Sequence, residues 1–389
     1  MRILQVTREV LSDRRYGLGK SLQPVVDELA VMGHTTRYLT RDDLNSKQQS
    51  QFKRIVRIID SSFFAPSFKG VLRALAERIQ MGYFAMSIAT KDGYSHVHAH
   101  DPWIAFGVLF GAWRHQSKEL RWGITQHGHG AYAQATLEDG LAQSEFVHRT
   151  LRRFERWILA KANWVMVPTH LSAQALARDL SLIEMPKHWH VVTHSLPFKE
   201  KKADALARSQ FGWKDQDFVV LAVGRIVPLK RFDLLVRVCA SLSQTHPTIR
   251  LQILGEGDQD GLMKIAEQLG FSKRLSILHA DDIQDYYSSA DLYVSVSSTE
   301  SFGLANLEAL CAGLPCVLSS VGGVPEVAGS GGWLIDCNHE SLSNAIAAVV
   351  ESDALRSFWR QQATNRASSW PSTADVAKKY ESIYGFFCK

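Results

Sequence analysis

Glu300 and Glu308, two glutamates eight residues apart, are the strongest candidates for functional residues in the sequence. An apolar run, Leu292 to Val296, and a short polar segment precede Glu300. Glu308 lies in a helical pattern that begins at Leu304 and stops at Gly313. The free backbone N–H groups and the positive dipole end of such a helix can dock an anion. Two carboxylates beside an anion site suit a ligand with both phosphate and hydroxyl groups, such as a nucleotide-sugar.

A second loop after a predicted strand carries two cations, Arg225 and Lys230, after Gly224. Arginine offers a bidentate fork to a phosphate and lysine a point charge. The alternative is that both cations are solvated surface residues. A third strand is followed by Gly255-Glu256-Gly257, which is either a tight turn or a ligand-facing segment.

In the first half of the chain, His127 follows an apolar strand and is flanked by glycine, so it could approach a substrate and bind its hydroxyls. A structural histidine is the alternative. Gly17, Gly19 and Lys20 could open a helix against phosphate, but they lack the spacing of the known phosphate-binding loops.

Two motifs resemble metal sites. His96, His98 and His100 alternate along a strand before Asp101, similar to a metallohydrolase ligand run with its last two residues exchanged. The sequence continues directly into a helix, which favours a strand-to-helix turn over a metal site. Asp258-Gln259-Asp260 could hold a metal, but it lies at a predicted helix start, where capping explains acidic residues.

Length and composition predict two ordinary globular domains. The chain has 389 residues, 46% apolar and 21% charged. The longest apolar run, Trp103 to Trp113, is about half of the roughly 20 residues that a membrane helix needs. The N-terminus MRILQV predicts a strand and not a signal peptide. Five cysteines, odd in number and mostly in apolar runs, predict reduced core thiols of a cytoplasmic protein.

Both halves alternate β-rich runs with helical patterns, which is typical of doubly wound parallel α/β sheets. We predict two Rossmann-like domains, 1–196 and 197–371, with a helix at about 372–389 packing back on the first. Ligands are expected between them, at the carboxyl ends of the strands. The predicted strands are Arg2–Thr7, His34–Leu39, His96–His100, Gly123–Gln126, Trp164–Pro168, Trp189–Thr193, Phe218–Val223, Arg250–Leu254, Leu275–Leu278, Leu292–Val296 and Cys316–Leu318.

The order and spacing of these motifs resemble the family-4 retaining glycosyltransferases. The resemblance rests on GR-x4-K at Arg225 and Lys230, the glycine turn, E-x7-E, G-x-P-x-V from Gly313, and Gly322-Gly323-x-x-Glu326. The first half resembles the family through MRILQV, Gly17 before Gly33-His34, and His100-Asp101-Pro102. It departs from the family pattern at Tyr16 and at Thr193-His194-Ser195. The resemblance implies the GT-B architecture, in which two Rossmann-like domains face each other across a cleft.

The resemblance also implies residue roles in binding a nucleotide-diphospho-sugar donor. Arg225 and Lys230 would bind the diphosphate, and Glu308 the ribose hydroxyls. Glu300 would contact the transferred sugar, with backbone N–H groups from Phe302, Gly303 and Leu304. His127 would lie near the 6-hydroxyl of the sugar, and Gly17 would let the first loop approach the phosphates. No cofactor and no metal are implied.

Charge is unevenly distributed along the chain. Residues 1–196 hold 25 Lys and Arg against 17 Asp and Glu, and residues 197–389 hold 19 against 22. Basic residues interleaved with aromatics suit an anionic membrane surface, although a solvated basic helix with core-facing aromatics is the alternative. One candidate surface is the helical stripe Arg149, Arg152, Arg153 and Arg156. The other is Lys53, Arg54, Arg57 and Lys69 with Phe52, Phe63, Phe64 and Phe68.

These patterns predict a cytoplasmic, metal-independent retaining glycosyltransferase, peripheral at the inner membrane face, with no nucleic-acid partner. Its acceptor would be a glycan or lipid-linked molecule in cell-surface polysaccharide or lipopolysaccharide synthesis. The alternatives are a nucleotide-sugar epimerase of the same architecture, a non-catalytic nucleotide- or glycan-binding protein and, last, a metal hydrolase.

Overall fold

The computed structural model of the chain describes residues 1–8, 17–63, 66–117, 119–134, 144–197, 208–280 and 282–386. Tyr16, Phe64, Cys388 and the segment 198–207, which follows the predicted domain boundary, lie outside these residues. The chain divides into two compact units. The first, unit 1, comprises Met1–Ser195 and Pro371–Lys389, and the second, unit 2, comprises Leu196–Trp370.

Unit 1 is built on a six-stranded parallel sheet in the order β2-β1-β3-β4-β5-β6. Every residue of β3 and β5 is buried, as expected for strands covered on both faces. The strands are β1 Arg2–Val6, β2 Thr35–Leu39, β3 His96–Ala99, β4 Arg121–Thr125, β5 Trp164–Val167 and β6 Trp189–Val191.

Unit 2 is also built on a six-stranded parallel sheet, in the order β12-β11-β10-β7-β8-β9. Its strands are β7 Phe218–Val223, β8 Ile249–Leu254, β9 Leu275–Leu278, β10 Leu292–Ser295, β11 Cys316–Ser319 and β12 Trp333–Ile335. The predicted strands agree with the observed ones to within two residues, but β12 was missed.

Helices cover both sheets. In unit 1 they are α1 Gly17–Val31, α2 Ser46–Asp60, α3 Pro66–Lys91, α4 Pro102–His115, α5 Glu145–Lys161, α6 His170–Asp179 and the last helix of the chain, α14 Thr373–Phe386. In unit 2 they are α7 Phe232–Leu242, α8 Gln259–Gln268, α9 Gln284–Ser289, α10 Leu304–Cys311, α11 Val324–Ala328, α12 His339–Glu351 and α13 Asp353–Ser368. Short 3₁₀ segments lie at Arg41–Asp43, Arg208–Phe211, Pro228–Lys230 and Ser272–Arg274.

The strand order of each sheet creates a switch point, where neighbouring strands lead to helices on opposite sides. In unit 2 the switch point lies between β7 and β10, and in unit 1 between β1 and β3. Ligands of open α/β sheets bind outside the carboxyl ends of the strands at such points. A ligand site is therefore expected in unit 2 at the loops after β7 and β10, and in unit 1 at the residues that end β1 and β3.

The last helix, α14, belongs to the core of unit 1. Tyr380 and Tyr384 pack with Ile3 of β1 and Trp164 of β5, and Tyr384 has no exposed surface. The side chains of α14 therefore pack against strands β1 and β5 of the unit 1 sheet.

In the described part of the chain, we find no helix with both the length and the apolar character needed to span a bilayer.

Candidate active site

The two sequence motifs of unit 2 meet at its switch point. The Lys230 ammonium contacts the Glu300 carboxylate directly, although the two residues lie 70 positions apart in the chain. A backbone hydrogen bond from Ser298 N–H to the Leu229 carbonyl, at 2.8 Å, joins the same two loops. Both charged side chains are partly exposed, Lys230 to 26% and Glu300 to 17%. The pair is therefore held in place and still accessible to a ligand.

Glycines let the backbones at this edge of the sheet approach each other. A Cβ on Gly255 would lie 1.9 Å from the Gly224 carbonyl oxygen, and one on Gly257 would lie 2.2 Å from the Ile226 oxygen. The Ile226 N–H donates to the Glu256 carbonyl at 2.6 Å. The Gly255–Gly257 segment therefore packs its backbone closely against the loop after β7.

Helix α10 begins beside Glu300 and points its N-terminus into the same region. Gly303 precedes it with φ of +82°, a conformation that favours glycine. Among the described residues, the backbone N–H groups of Gly303, Leu304 and Ala305 find no acceptor. Such N–H groups at a helix start, together with the dipole, attract an anion.

Phe302 anchors the loop before α10. Its side chain is 2% exposed and packs against Leu307, Val327 and Trp370, with ring centroids 5.8 Å apart in the last case. The side chain thus has a structural role, and only the backbone of Phe302 remains as the predicted ligand contact.

Glu308 is buried on the second turn of α10, with 4% of its surface exposed. The Tyr287 hydroxyl donates to its Oε2 at 2.9 Å and lies 3.2 Å from the Ala305 carbonyl oxygen. Burial, reinforced by the Glu308 carboxylate, raises the pKa of Tyr287 well above its ordinary value, so the hydroxyl stays a donor. Tyr287 therefore orients the Glu308 carboxylate.

Arg225 is exposed on the loop after β7. Within the described residues its guanidinium forms no hydrogen bond or ion pair. It shares the loop of Lys230 but, unlike that lysine, is not held by a carboxylate.

The predicted residues of unit 1 follow two strands that flank β3: Gly17 comes after β1, and His127 comes after β4. His127 follows β4, is half-buried, and places Nε2 2.9 Å from Nδ1 of His100. The His194 ring stacks on it with centroids 5.8 Å apart. Burial, with His100 and His194 nearby, lowers the pKa of His127 well below its ordinary value, so the ring is neutral near pH 7. Gly17 starts α1 with φ of +47°, and a Cβ there would meet open space.

The two metal-like motifs serve other purposes. His98 binds Tyr384 and Thr125, and His100 binds Gln5 and His127. A search of the described residues finds no cluster of three or more metal-ligating side chains. Asp258 accepts from the Gly261 N–H at 3.0 Å and caps α8, as predicted.

The basic stripe on α5 divides into two parts. Arg152 donates to the Ser181 hydroxyl at 2.9 Å, and Arg156 lies 3.5 Å from the Leu180 carbonyl oxygen. The outer face of α5, by contrast, includes four exposed residues at helical spacing: Phe146, Arg149, Arg153 and Trp157. Arg149 forms an ion pair with the exposed Glu145 at 2.6 Å. Leu151, Ile158 and Leu159 fill the buried face.

The second basic patch is also exposed. Helix α2 buries none of its residues. Lys53, Arg54 and Arg57 lie at the surface near Ile58, which is 61% exposed, and the fully exposed Phe63. Phe52 lies against the Arg41 guanidinium instead.

Sequence reasoning missed the residues that orient the candidate site. Tyr287 and Tyr384 lie in segments with no motif around them, and Gln5 lies in MRILQV, which predicts a strand but no polar contact. The one sequence feature that could have indicated these residues is a polar or hydroxyl-bearing side chain within a segment predicted to be buried. His194 was noted as a departure from the family pattern, but its stacking on His127 was not predicted.

Comparisons with known proteins agree with this geometry. Residues 16–193 match a family model described as glycosyl transferase 4-like domain, and residues 204–366 match glycosyl transferases group 1. The D-inositol 3-phosphate glycosyltransferase of Mycolicibacterium smegmatis is 31% identical over 327 residues, which cover 79% of this chain and 69% of that protein.

Solved glycosyltransferase structures share the fold over nearly the full length. Anabaena HepE, solved in complex with UDP-glucose, has a TM-score of 0.74 at 17% identity and covers 99% of this chain and 100% of its own. WaaG, a glycosyltransferase involved in lipopolysaccharide biosynthesis, has a TM-score of 0.72 at 16% identity with the same coverage. The two parallel sheets, the motif geometry and these similarities together show that the chain belongs to the family-4, group 1 glycosyltransferases with the GT-B fold.

Proposed function

We propose that this glycosyltransferase takes its sugar from a nucleotide-diphospho-sugar and transfers it with retention of configuration. The observation that carries the proposal is the convergence of Lys230, Glu300, the N-terminus of α10 and buried Glu308 at the switch point of unit 2. Cations and backbone N–H groups suit a diphosphate, and a fixed buried carboxylate suits a ribose diol. The complex of HepE with UDP-glucose supports a donor of this chemical class.

In the proposed reaction, the bond between the anomeric carbon and the diphosphate oxygen breaks, and its electron pair stays on the leaving nucleoside diphosphate. Arg225, Lys230 and the N–H groups of Gly303 and Leu304 stabilise that negative charge. Because the backbone N–H groups are fixed before the reaction, they act without reorganising, and removing one such donor typically costs about 3 kcal/mol of barrier. The oxygen of an acceptor hydroxyl forms the new bond to the anomeric carbon, and its proton passes to the departing nucleoside diphosphate.

The remaining site residues orient the donor. Glu308, held by Tyr287, accepts hydrogen bonds from the ribose hydroxyls. Glu300 releases Lys230 to the diphosphate and contacts the transferred sugar. His127 accepts a hydrogen bond from a sugar hydroxyl, and Gly17 gives the phosphates access to the start of α1.

We also propose that catalysis needs no metal ion and no cofactor. Lys230, Arg225 and the α10 N-terminus supply the positive charge that a divalent cation supplies in other phosphate sites. Asp258, the residue most similar to a metal ligand in this unit, is used as a helix cap.

The acceptor that fits best is a glycan or a lipid-linked molecule at an anionic membrane surface. The outer face of α5 combines Arg149 and Arg153 with the exposed rings of Phe146 and Trp157. Such a mixture suits the headgroup region, where each nearby cation contributes about 1 kcal/mol. The role of WaaG in lipopolysaccharide biosynthesis supports an acceptor of this kind. The described cysteines are unpaired thiols, which supports placing the enzyme at the cytoplasmic face.

Product analysis tests the donor and the reaction. Purified protein is incubated with a UDP-, GDP- or ADP-sugar and a cell-envelope lipid and glycan extract, in EDTA, and products are identified by mass spectrometry and NMR. We expect one donor to give a product heavier by one sugar, with the anomeric configuration of the donor. Formation of an epimer of the donor without transfer would instead favour an epimerase.

Vesicle co-sedimentation tests the membrane surface. Binding to anionic vesicles should exceed binding to neutral ones, weaken with salt, and fall in Arg149→Glu/Arg153→Glu. The control, Arg237→Glu/Lys264→Glu, makes the same charge change at exposed positions of α7 and α8 and should bind as the wild type does. Equal binding to anionic and neutral vesicles at low salt would refute the membrane proposal.

A further inference from the structure

A chain of buried polar side chains leads from α14 to His127. Gln5 on β1, His100 after β3 and Tyr384 on α14 are all buried, with exposures of 0%, 7% and 0%. The Gln5 amide nitrogen donates to the Tyr384 hydroxyl at 2.9 Å, and the Gln5 Oε1 lies 2.9 Å from His100 Nε2. His100 Nδ1 lies 2.9 Å from His127 Nε2. One uninterrupted series of hydrogen bonds therefore ends on the predicted active-site histidine.

The chemistry of the glutamine amide gives this series a direction. An amide nitrogen can only donate and an amide oxygen can only accept. With its nitrogen engaged by Tyr384, Gln5 offers oxygen to His100, so His100 must carry its proton on Nε2. A neutral imidazole holds one ring proton, which leaves Nδ1 of His100 as an acceptor.

The hydrogen bond between the two rings also fixes which nitrogen of His127 carries the proton. Because Nδ1 of His100 accepts, Nε2 of His127 must donate and therefore carries the single proton of that ring. Burial lowers the pKa values of both His100 and His127 well below the ordinary value, so both rings are neutral near pH 7. Within the described residues, Nδ1 of His127 has no hydrogen-bond partner. His127 also lines a small pocket with Thr193, His194 and Ser21.

We infer that Gln5, His100 and Tyr384 are positioning residues that lock His127 in the Nε2–H tautomer and present its Nδ1 as a hydrogen-bond acceptor for a substrate hydroxyl. The tautomer follows from the orientation of the Gln5 amide and the neutrality of the two buried rings, whereas the substrate contact rests on the proposed glycosyl transfer. The arrangement also gives α14 a functional role, because it contributes the hydroxyl that orients the Gln5 amide.

Nitrogen-15 NMR of histidine-labelled protein reads the tautomer directly, since protonated and bare ring nitrogens have distinct shifts. His127 signals are assigned by their absence in His127→Gln. In the wild type we expect a proton on Nε2 and a bare Nδ1. Tyr384→Phe frees the Gln5 amide to rotate, so part of the His127 population should shift to the Nδ1–H form.

Three further variants separate positioning from a general loss of packing. Tyr380→Phe removes a neighbouring buried hydroxyl on α14 that bonds to Thr125 rather than Gln5, so the wild-type tautomer should persist. Gln5→Glu keeps an acceptor for His100 and should also retain it, while Gln5→Leu should lose it. Turnover should fall in Tyr384→Phe and Gln5→Leu but remain closer to the wild type in Tyr380→Phe.

A wild-type His127 with its proton on Nδ1 would overturn the inference, and so would an unchanged tautomer in both Tyr384→Phe and Gln5→Leu. These outcomes do not depend on the proposed reaction. Conversely, full transfer activity in His127→Gln with the expected wild-type tautomer would leave the inference about positioning intact and refute the role of His127 in transfer.

Discussion

Glu308→Gln should weaken binding of the nucleoside diphosphate product without unfolding the protein. The carboxylate is 4% exposed, so water screens its hydrogen bonds little. Glutamine has nearly the same shape and can still accept from the Tyr287 hydroxyl. It loses the negative charge and one of the two acceptor oxygens that a ribose diol would use.

The expected magnitude follows from those two losses. Hydrogen bonds to a charged group contribute about 1.5–3 kcal/mol each. Glutamine keeps one acceptor oxygen and so retains a weaker form of one of these hydrogen bonds. We therefore expect a net loss of about 1.5–3 kcal/mol of binding free energy, which is about 10- to 150-fold in Kd. The free energy of unfolding should stay the same or rise, since the substitution removes a desolvated charge.

Isothermal titration calorimetry of the tightest-binding nucleoside diphosphate measures this change, with thermal unfolding as the check on folding. Glu267→Gln, an exposed glutamate on α8, is the matched control and should bind as the wild type does. A folded Glu308→Gln protein whose Kd lies within about twofold of the wild-type value would refute the ribose assignment and the reasoning from burial.

Three further predictions concern charge. Arg225→Ala and Lys230→Ala should each lower kcat by about a hundredfold or more, and Arg225→Lys should recover only part of it because the fork is lost; near-normal kcat in both alanine variants would place the diphosphate elsewhere. EDTA should leave transfer activity unchanged, and complete loss restored by Mg²⁺ or Mn²⁺ would refute metal independence. Burial raises the pKa of Glu155, which accepts from Gln126 and two backbone N–H groups, from 4.5 to about 7. The folded protein therefore binds the extra proton, and its free energy of unfolding should fall as pH rises from 4.5 to about 7, by at most about 3 kcal/mol. Denaturant titrations at pH 5 and 8 should show this difference shrinking in Glu155→Gln, and an equal difference in both proteins would contradict it.

Much of the fold could be predicted because buried parallel strands appear as short apolar runs between helical patterns. The strand β12 was missed because it has three residues and follows a glycine-rich segment, so it carries almost no periodicity. The donor motifs were visible because each is local: Arg225 and Lys230 share one loop, and Glu300 and Glu308 share another loop and its helix.

The supporting contacts could not be predicted because they join residues far apart in the chain. Gln5 and Tyr384 are 379 positions apart, and no local pattern links the two residues. Tyr287 reaches Glu308 from α9, a helix of six residues whose buried face is too short to read from periodicity. The roles of the predicted site residues stay predictions until the variants above are measured.

In the proposed reaction, the loops after β7 and β10 bind a nucleoside diphosphate without a metal. Thermal unfolding in EDTA, with UDP, GDP or ADP and the corresponding monophosphates, tests it most directly. One diphosphate should raise Tm more than its monophosphate, since a ligand at 100 times its Kd stabilises the folded protein by about 2.7 kcal/mol. The shift should be lost in Lys230→Ala and kept in Lys264→Ala, an exposed lysine on α8. If none of the three diphosphates shifts the wild-type Tm, or if Lys230→Ala keeps the full shift, the account is contradicted.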